Sequence, residues 1–349
     1  MQVNRRTVIQ GLGAALSMPF IIPSARAQSV TSLRLHHFLP PVSTGHSKLL
    51  APWAKKVETE SQGRIKIDIF PSMQLGGTPP QLFDQAKDGV ADIVWTLPGY
   101  TPNRFPRTEV LELPFIAGRS AVTNSLAAQE LAETQLVEEY RDVKLLCLWA
   151  HDAGGIHANK QVRTLEDLKG LKLRNPTRLA GEALKALGAV SVGMPVPQVP
   201  ESLAQRVIDG AVIPWEVVPA VKVHELVKFH TTIPGTPTLY TATFMLAMNR
   251  AKYDQLPKEL QAVIDANSGM TLARNAGQVW DDQAKVVSQM VAARGNTITE
   301  LAMSEKARWI AATNPVLTTW IEQLKSRNID AVALHERAKA LIAKHNVTT

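Results

Sequence analysis

The sequence of 349 residues has a single cysteine and lacks the short motifs of several large enzyme classes. Cys147 lies in the apolar segment 143–150, so the chain cannot form an internal disulfide, and the thiol is expected to be a small buried side chain. The sequence contains no G-x-S-x-G, no H-E-x-x-H and no C-x-x-C. Gly76 and Gly77 stand without the rest of a dinucleotide or phosphate fingerprint. These absences argue against common hydrolases, zinc proteases and nucleotide-binding enzymes.

The N-terminus has the three parts of an export signal. Arg5 and Arg6 precede an apolar stretch over residues 8–22, and residues 25–27 (ARA) form a cleavage site of the A-x-A type. The apolar stretch is short and contains a proline, so it cannot span a bilayer. The paired arginines predict a twin-arginine signal, with an ordinary Sec signal as the alternative. We therefore expect residues 1–27 to be removed and the mature protein to be periplasmic.

The charge of the chain shows no sign of a nucleic-acid or membrane partner. The formal net charge is +7, and removal of the three arginines in residues 1–27 leaves +4. The remaining basic residues are interspersed with acidic ones, so no basic patch for nucleic acid is expected. No lipobox cysteine is present, and no insertion into the membrane is predicted.

Short apolar runs alternate with segments of helical periodicity, which predicts an α/β architecture with a largely parallel sheet. The predicted strands are 32–38, 64–70, 91–97, 144–150, 155–159, 171–174 and 190–193, and the predicted helices are 46–60, 79–88, 179–187, 315–326 and 332–345. The alternation repeats after residue 144, which indicates a second α/β lobe of similar build. Residues 257–293 are expected to form a long helix that braces both lobes, with a kink at Gly269.

Histidines are the only side chains that suggest a metal site, and their spacing argues against it. The candidates are His36, His37, His46, His151 and His157. His36 and His37 point to opposite faces of a strand, so they cannot both bind one ion. We therefore expect no metal and no cofactor. A hydrogen bond from one of these histidines to a ligand oxygen is the better interpretation.

Arg174 and two tryptophans are the strongest candidates for binding. Arg174 ends a predicted strand just before Pro176, and a planar guanidinium can hold a carboxylate through two hydrogen bonds. Trp95 and Trp215 lie beside prolines at the ends of apolar runs, where ligand sites of α/β proteins form. The alternatives are a surface arginine at a strand end and two core tryptophans.

Several segments in order resemble the solute-binding proteins of TRAP transporters, the DctP-type family. Residues 70–77 (FPSMQLGG) are similar to the F-P-x-x-Q-L-G-G turn of the family, and residues 167–174 (DLKGLKLR) to its D-L-K-G-L-K-x-R element. Further similar blocks are 88–92 (DGVAD), 187–195 (LGAVSVGMP), 206–210 (RVIDG), Asn249 and 256–260 (LPKEL). Each block is weak alone, but their order and spacing cover nearly the whole mature chain.

The resemblance implies a two-lobe clamshell of the periplasmic-binding-protein type, with a long helix bracing both lobes. We place lobe I at residues 28–152 plus about 240–268, and lobe II at 153–239 plus about 269–349. In the family, the arginine at the position of Arg174 pairs with the carboxylate of a small organic acid. The binding protein then delivers the acid to the membrane subunits of a permease driven by an ion gradient. It is not an enzyme.

Departures from the family pattern indicate the kind of acid. Where many sugar-acid binders carry Q-E-N after D-G, this chain has residues 211–213 (AVI). Because the hydroxyls of a buried sugar acid need hydrogen-bond partners, an apolar or aromatic body is favoured, such as an aromatic 2-oxo or 2-hydroxy acid. Ile213, Trp215, Trp95 and Phe38 are expected to wall the pocket, and His37, His157 and Tyr240 to make polar contacts near the head group.

Two other functions fit the same scaffold. A sensory accessory protein would present the ligand to a membrane receptor instead of a permease. A periplasmic enzyme would use a histidine as a base, but it would also need a nucleophile or a metal, which the sequence does not supply.

Overall fold

The structure is a computed structural model that describes residues 30–346. The predicted export signal at residues 1–27 lies outside the described residues. The strands are β1 (Thr31–His37), β2 (Ile65–Phe70), β3 (Ile93–Thr96), β4 (Val143–Ala150), β5 (Gly155–Ala158), β6 (Lys172–Asn175), β7 (Val190–Gly193), β8 (Gly210–Ile213), β9 (Phe229–Thr232), β10 (Thr243–Asn249) and β11 (Thr297–Glu300). The α-helices are α1 (Ala51–Glu60), α2 (Leu82–Lys87), α3 (Ala121–Thr134), α4 (Arg178–Ala186), α5 (Val199–Ala204), α6 (Val223–Leu226), α7 (Arg250–Asp254), α8 (Lys258–Ala266), α9 (Gly269–Ala293), α10 (Met303–Lys325) and α11 (Ala331–Lys344).

The strands form two separate sheets, which confirms the predicted two-sheet α/β fold. The first sheet has the order β2-β1-β3-β10-β4, and the second has the order β11-β9-β5-β8-β6-β7. Largely parallel pairing was expected, but both sheets are mixed: two of the four strand pairs are parallel in the first sheet, and three of the five in the second. β10 runs antiparallel to β3 and β4, and β5 runs antiparallel to β8 and β9. These strands enter their sheets from distant parts of the chain and not through a right-handed βαβ connection, so local alternation does not reveal their direction.

The long helix is present and is bent where the glycine predicts. α8 ends at Ala266, and α9 begins at Gly269, whose φ of +61° is readily available only to glycine. α9 packs mainly on α3 and β4 beside the first sheet, and it also reaches the 3₁₀ turn Trp215–Val217 that follows β8. It therefore contacts elements of both lobes. The predicted division of the chain at residue 269 stays a prediction.

The contact between α9 and α3 is close at the backbone level. Asp281 of α9 accepts hydrogen bonds from the backbone N–H groups of Ala121 (2.7 Å) and Val122 (3.1 Å) at the start of α3. A Cβ atom on Gly277 would lie 2.5 Å from the Cα atom of Val122. The absence of a side chain at Gly277 is thus required for this approach.

Replacing Gly277 with alanine is expected to destabilise the protein by about 1–3 kcal/mol, because the clash with the backbone of Val122 exceeds the gain of about 1 kcal/mol in helix propensity. Chemical denaturation would measure the change. Asn275→Ala, at an exposed position of the same helix, is the control and is expected to be nearly neutral. A Gly277→Ala protein as stable as the wild type would show that the two helices can separate at little cost.

Helix α10 differs from the prediction, whereas the single thiol is buried as expected. α10 begins at Met303, twelve residues before the predicted start, and keeps Pro315 in its interior. Cys147 is fully buried in β4, and burial raises the pKa of its thiol well above the usual value. Among residues 30–346, no helix is both long and apolar enough to cross a membrane.

Candidate binding site

A cavity of about 360 Å³ lies between the two sheets, beyond the ends of their central strands. Such edges are where α/β folds bind ligands. Residues that follow β1, β3 and β4 line one side, and residues at or after β6, β7 and β8 line the other. The lining consists of Phe38, Leu39, Leu97, Tyr100, His151, Arg174, Pro176, Val196, Ile213, Pro214, Glu216, Val217, Tyr240, Ala242 and Phe244.

Arg174 is the only cation in this lining, and it is 2% exposed. Its Nε donates a hydrogen bond to the backbone carbonyl of Met194 (2.8 Å) and its Nη1 to that of Val212 (3.2 Å). These two bonds fix the guanidinium without neutralising it. Within the described part of the chain, no carboxylate forms an ion pair with Arg174, and burial lowers the pKa of its guanidinium. Burying a charge without a counter-ion costs free energy, and a bound anion would reduce that cost. The cavity therefore favours an anionic ligand.

Two tyrosines place hydroxyl groups beside the guanidinium. The Tyr100 hydroxyl oxygen accepts a hydrogen bond from the backbone N–H of Val196 (3.1 Å), which leaves its own proton free to be donated. The Tyr240 hydroxyl is fully buried and has no hydrogen-bond partner among residues 30–346. Burial raises the pKa of both phenols, so both keep their protons at neutral pH. One guanidinium and two O–H donors together suit a carboxylate.

Tyr100 was not among the residues predicted from the sequence. It lies in the 3₁₀ turn Pro98–Tyr100, which directly follows β3. The signal that could have found it was this position just after the end of a buried strand. Its contact with Val196, 96 residues away, was not visible in the sequence.

His151 contributes an apolar surface to the cavity, because both of its ring nitrogens are already used. Its Nε2 accepts a hydrogen bond from the backbone N–H of Ala242 (2.9 Å), and its Nδ1 lies 2.6 Å from the carbonyl oxygen of Asp152. This pattern assigns the proton to Nδ1 of a neutral ring. Burial lowers the pKa of His151 to about 4, so the ring stays neutral at neutral pH. Neither nitrogen is free to act as a base.

Of the eight predicted site residues, the structure brings four into the cavity lining: Phe38, Arg174, Ile213 and Tyr240. The other four, His37, Trp95, His157 and Trp215, lie behind that lining. Trp95 packs its ring against Phe38 (5.3 Å between centroids) and Trp149 (6.2 Å) in an aromatic cluster. His37 Nε2 lies 2.9 Å from Nδ1 of His46, and burial lowers the pKa of His37 to about 3.

His157 and Trp215 form a similar layer behind β8. His157 Nδ1 lies 2.7 Å from Nδ1 of His230, and His157 Nε2 lies 3.1 Å from the carbonyl oxygen of Ile213. The Trp215 ring packs edge-on against His157 at 4.8 Å. Burial lowers the pKa of His157 to about 3, so its ring is neutral at neutral pH. Its Nε2–H donates to the carbonyl oxygen of Ile213, and its Nδ1 accepts a hydrogen bond from His230. These side chains support the backbone of the cavity wall and do not face its interior.

Among residues 30–346, no cluster of His, Cys, Asp or Glu could hold a metal ion.

A second and larger space, of about 1040 Å³, lies between α10, α11 and the segments 114–116 and 236–237. Its cationic side chain, Lys339, is exposed and already pairs with Glu336 (3.2 Å). This groove therefore lacks the buried unpaired charge that marks the cavity around Arg174.

Comparison with known proteins agrees with the fold and identifies the family. The sequence pattern of the family described as bacterial extracellular solute-binding protein, family 7 (DctP), matches residues 35–323. The chain belongs to this family of solute-binding receptors. The predicted resemblance to the binding proteins of TRAP transporters is thereby confirmed.

Three solved structures are similar over most of the chain. One is a marine metagenome TRAP solute-binding protein from an unidentified microbe, specific for aromatic acid ligands and bound to 3-hydroxybenzoate; it is 44% identical, with a TM-score of 0.90 over 91% of this chain and 100% of that one. A protein of Rhodoferax ferrireducens T118 with copurified benzoate is 45% identical, with a TM-score of 0.88; the match covers 90% of this chain and 98% of that one. A Bordetella bronchiseptica protein with bound (R)- and (S)-mandelate is 28% identical, with a TM-score of 0.84; the match covers 90% of this chain and 100% of that one.

Proposed function

We propose that this protein binds an aromatic monocarboxylic acid and delivers it to the membrane subunits of a TRAP-type permease. The observation that carries the proposal is the buried, unpaired guanidinium of Arg174 in a mostly apolar cavity. The similar proteins that bind 3-hydroxybenzoate, benzoate and mandelate support an aromatic acid.

In this proposal the carboxylate binds between Arg174, Tyr100 and Tyr240. The guanidinium supplies the counter-charge, and the two phenolic O–H groups donate hydrogen bonds. The ring of the acid then packs against Phe38, Phe244 and the aliphatic side chains of the lining. The cavity offers one cation only, so the second carboxylate of a dicarboxylic acid would be buried without a partner.

Contacts between the two sides of the cavity support a closing motion around the ligand. Tyr100 bonds to Val196 across the cavity, and the Thr44 hydroxyl donates to the backbone carbonyl of Glu216 (3.3 Å). Arg178, at the start of α4, donates from Nε to Glu109 Oε1 (3.0 Å) and pairs with the same carboxylate through Nη2. We infer that these bonds form as the lobes close. Closure excludes water, which strengthens the ion pair at Arg174 because the local dielectric falls.

We further propose that the protein acts in the periplasm after export by its N-terminal signal. The family consists of extracellular solute-binding proteins, which supports this location. The acid is released unchanged to the permease in this proposal, since His151 has no free ring nitrogen to act as a base.

A thermal-unfolding screen tests the proposed ligand class. The protein is first unfolded in guanidinium chloride and refolded, so that any copurified ligand is removed. At a hundredfold excess over the dissociation constant, benzoate or a hydroxybenzoate is expected to stabilise the protein by about 2.7 kcal/mol, a rise of several degrees in Tm. Succinate and gluconate are expected to give no shift. A shift with those acids alone would contradict the proposed function.

A further inference from the structure

Glu216 is a second polar group of the cavity whose chemistry the carboxylate site does not use. It lies in the 3₁₀ turn Trp215–Val217, is 4% exposed and lines the cavity. Its backbone carbonyl accepts a hydrogen bond from Thr44, and its Oε2 atom is completely buried, with no partner in full hydrogen-bond geometry among residues 30–346. The indole N–H of Trp280 acts on this carboxyl group as a donor and lowers its pKa, but the geometry of the contact falls outside that of a full hydrogen bond.

Burying a carboxyl group without a full hydrogen bond to each oxygen costs folding free energy. Leaving such a buried polar group without a hydrogen bond costs about 1–3 kcal/mol. The cost is removed if a ligand supplies the missing partner. Arg174 does not supply it. Its guanidinium donates hydrogen bonds to the carbonyl oxygens of Met194 and Val212, and the groups that raise its pKa are Tyr100 and Tyr240, not Glu216.

The polar groups of the cavity fall into two sets with Tyr240 between them. Arg174 and Tyr100 form the first set, where the ligand carboxylate is proposed to bind. Glu216 forms the second, and the charges of Glu216 and of Asp152, which is not part of the lining, both act on the Tyr240 phenol. A ligand bound at Arg174 would thus extend its ring toward Glu216.

The protonation state of Glu216 is compatible with an anionic ligand nearby. Burial and then the charge of Asp152 raise the pKa of the Glu216 carboxyl well above its usual value. The protonated group adds no second negative charge to the cavity. It still accepts a hydrogen bond through its carbonyl oxygen and can donate one through its O–H.

We propose that Glu216 forms a subsite for a hydroxyl group on the ring of the bound aromatic acid, so that the protein prefers ring-hydroxylated acids to the unsubstituted acid. This inference rests on the proposed function, since it needs an aromatic carboxylate anchored at Arg174. The ligand hydroxyl donates to the Glu216 carboxyl group, which Trp280 satisfies only in part. Ile213, Val217 and Phe244 add apolar surface to the lining beside Glu216.

The first test varies the ligand and uses the wild-type protein. Isothermal titration would compare benzoate with 3- and 4-hydroxybenzoate and with the corresponding methoxybenzoates, which cannot donate a hydrogen bond. One hydroxybenzoate is expected to bind about tenfold more tightly than benzoate, as one hydrogen bond of about 1.4 kcal/mol implies. Its methoxy counterpart is expected to show no gain. Equal affinity for benzoate, both hydroxybenzoates and both methoxybenzoates would overturn the inference.

The second test varies the protein. Glu216→Gln keeps a carbonyl acceptor and is expected to retain the preference for the hydroxybenzoate, whereas Glu216→Leu is expected to reduce the preference to less than twofold. The preference is the ratio of two affinities measured on the same protein, so a change in the affinity for benzoate itself does not enter the comparison. Glu138→Leu, in the exposed 3₁₀ turn Val137–Tyr140, is the control.

The outcomes separate this inference from the proposed function. If wild-type protein binds benzoate and Glu216→Leu keeps the full hydroxyl preference, the subsite is wrong and the proposed function stands. If the wild type binds no aromatic acid, both fail. If Glu216→Leu does not fold, the comparison of hydroxy with methoxy acids in the wild type and in Glu216→Gln still decides the matter.

Discussion

Replacing Arg174 with methionine is expected to lower the affinity for an aromatic monocarboxylate by about 30- to 1000-fold. The bound carboxylate would lose its charged partner in a water-free cavity, which costs about 2–4 kcal/mol. Arg174→Lys keeps the charge but loses the planar fork, and its ammonium group cannot reproduce the bonds to Met194 and Val212 together with a bidentate contact. We expect it to bind with an intermediate affinity.

Arg174→Met is expected to leave the stability of the ligand-free protein nearly unchanged. Removing Arg174 abolishes the cost of burying a cation without a counter-ion, which favours the variant. It also leaves the carbonyl oxygens of Met194 and Val212 without donors, at about 1–3 kcal/mol each. These effects oppose each other, so binding should fall far more than Tm.

Isothermal titration and thermal unfolding would measure the two quantities on the same samples. Arg104→Met is a matched control, because Arg104 is partly buried over Phe83 and pairs with Asp84 outside the cavity. It is expected to bind the acid like the wild type. A loss of less than threefold in Arg174→Met would remove Arg174 from the binding site.

The local elements could largely be predicted from the sequence, but some pairings could not. β7 lies where the apolar run at 190–193 places it, and the break between α8 and α9 falls at Gly269 as expected. α3 was not predicted, because nearly all of its side chains are buried and it has no polar face to give a helical period. β10 was missed because it is buried on both faces and pairs with strands that lie far earlier in the chain, as in the pairing of Met245 with Thr96.

The binding site shows the same limit at the level of side chains. Arg174 was singled out because its charge, its strand end and the family resemblance agree. Trp95 and Trp215 lie at the ends of apolar runs, yet they are absent from the cavity lining and their rings pack with Trp149 and His157. The direction of a side chain just beyond a strand depends on the local turn, and the sequence alone does not specify it. Tyr100 was missed for the same reason.

Gly154→Ala is expected to weaken binding by about 5- to 150-fold, although residue 154 does not contact the proposed ligand. Gly154 lies between β4 and β5, on the connection from one sheet to the other. A Cβ atom there would lie 2.1 Å from Cε1 and 2.7 Å from Oη of Tyr240. The ring of Tyr240 is 1% exposed and packs edge-on against His151 at 5.1 Å, so it has no space to retreat. The clash would shift the hydroxyl away from Arg174 at a cost of about 1–3 kcal/mol.

The effect can be traced to the tyrosine by a double-mutant cycle in which binding is measured by titration. In a Tyr240→Ala background the ring is absent, so adding Gly154→Ala is expected to change the affinity less than twofold. Gly193→Ala is the control, because a Cβ atom at that exposed strand end would lie 3.7 Å from Asn175 Nδ2, an ordinary contact. If Gly154→Ala weakened binding equally with and without the Tyr240 ring, the glycine would act through the connection between the sheets and not through the hydroxyl. A strong dependence on the ring would instead make Gly154 the residue that holds one of the three carboxylate donors in position.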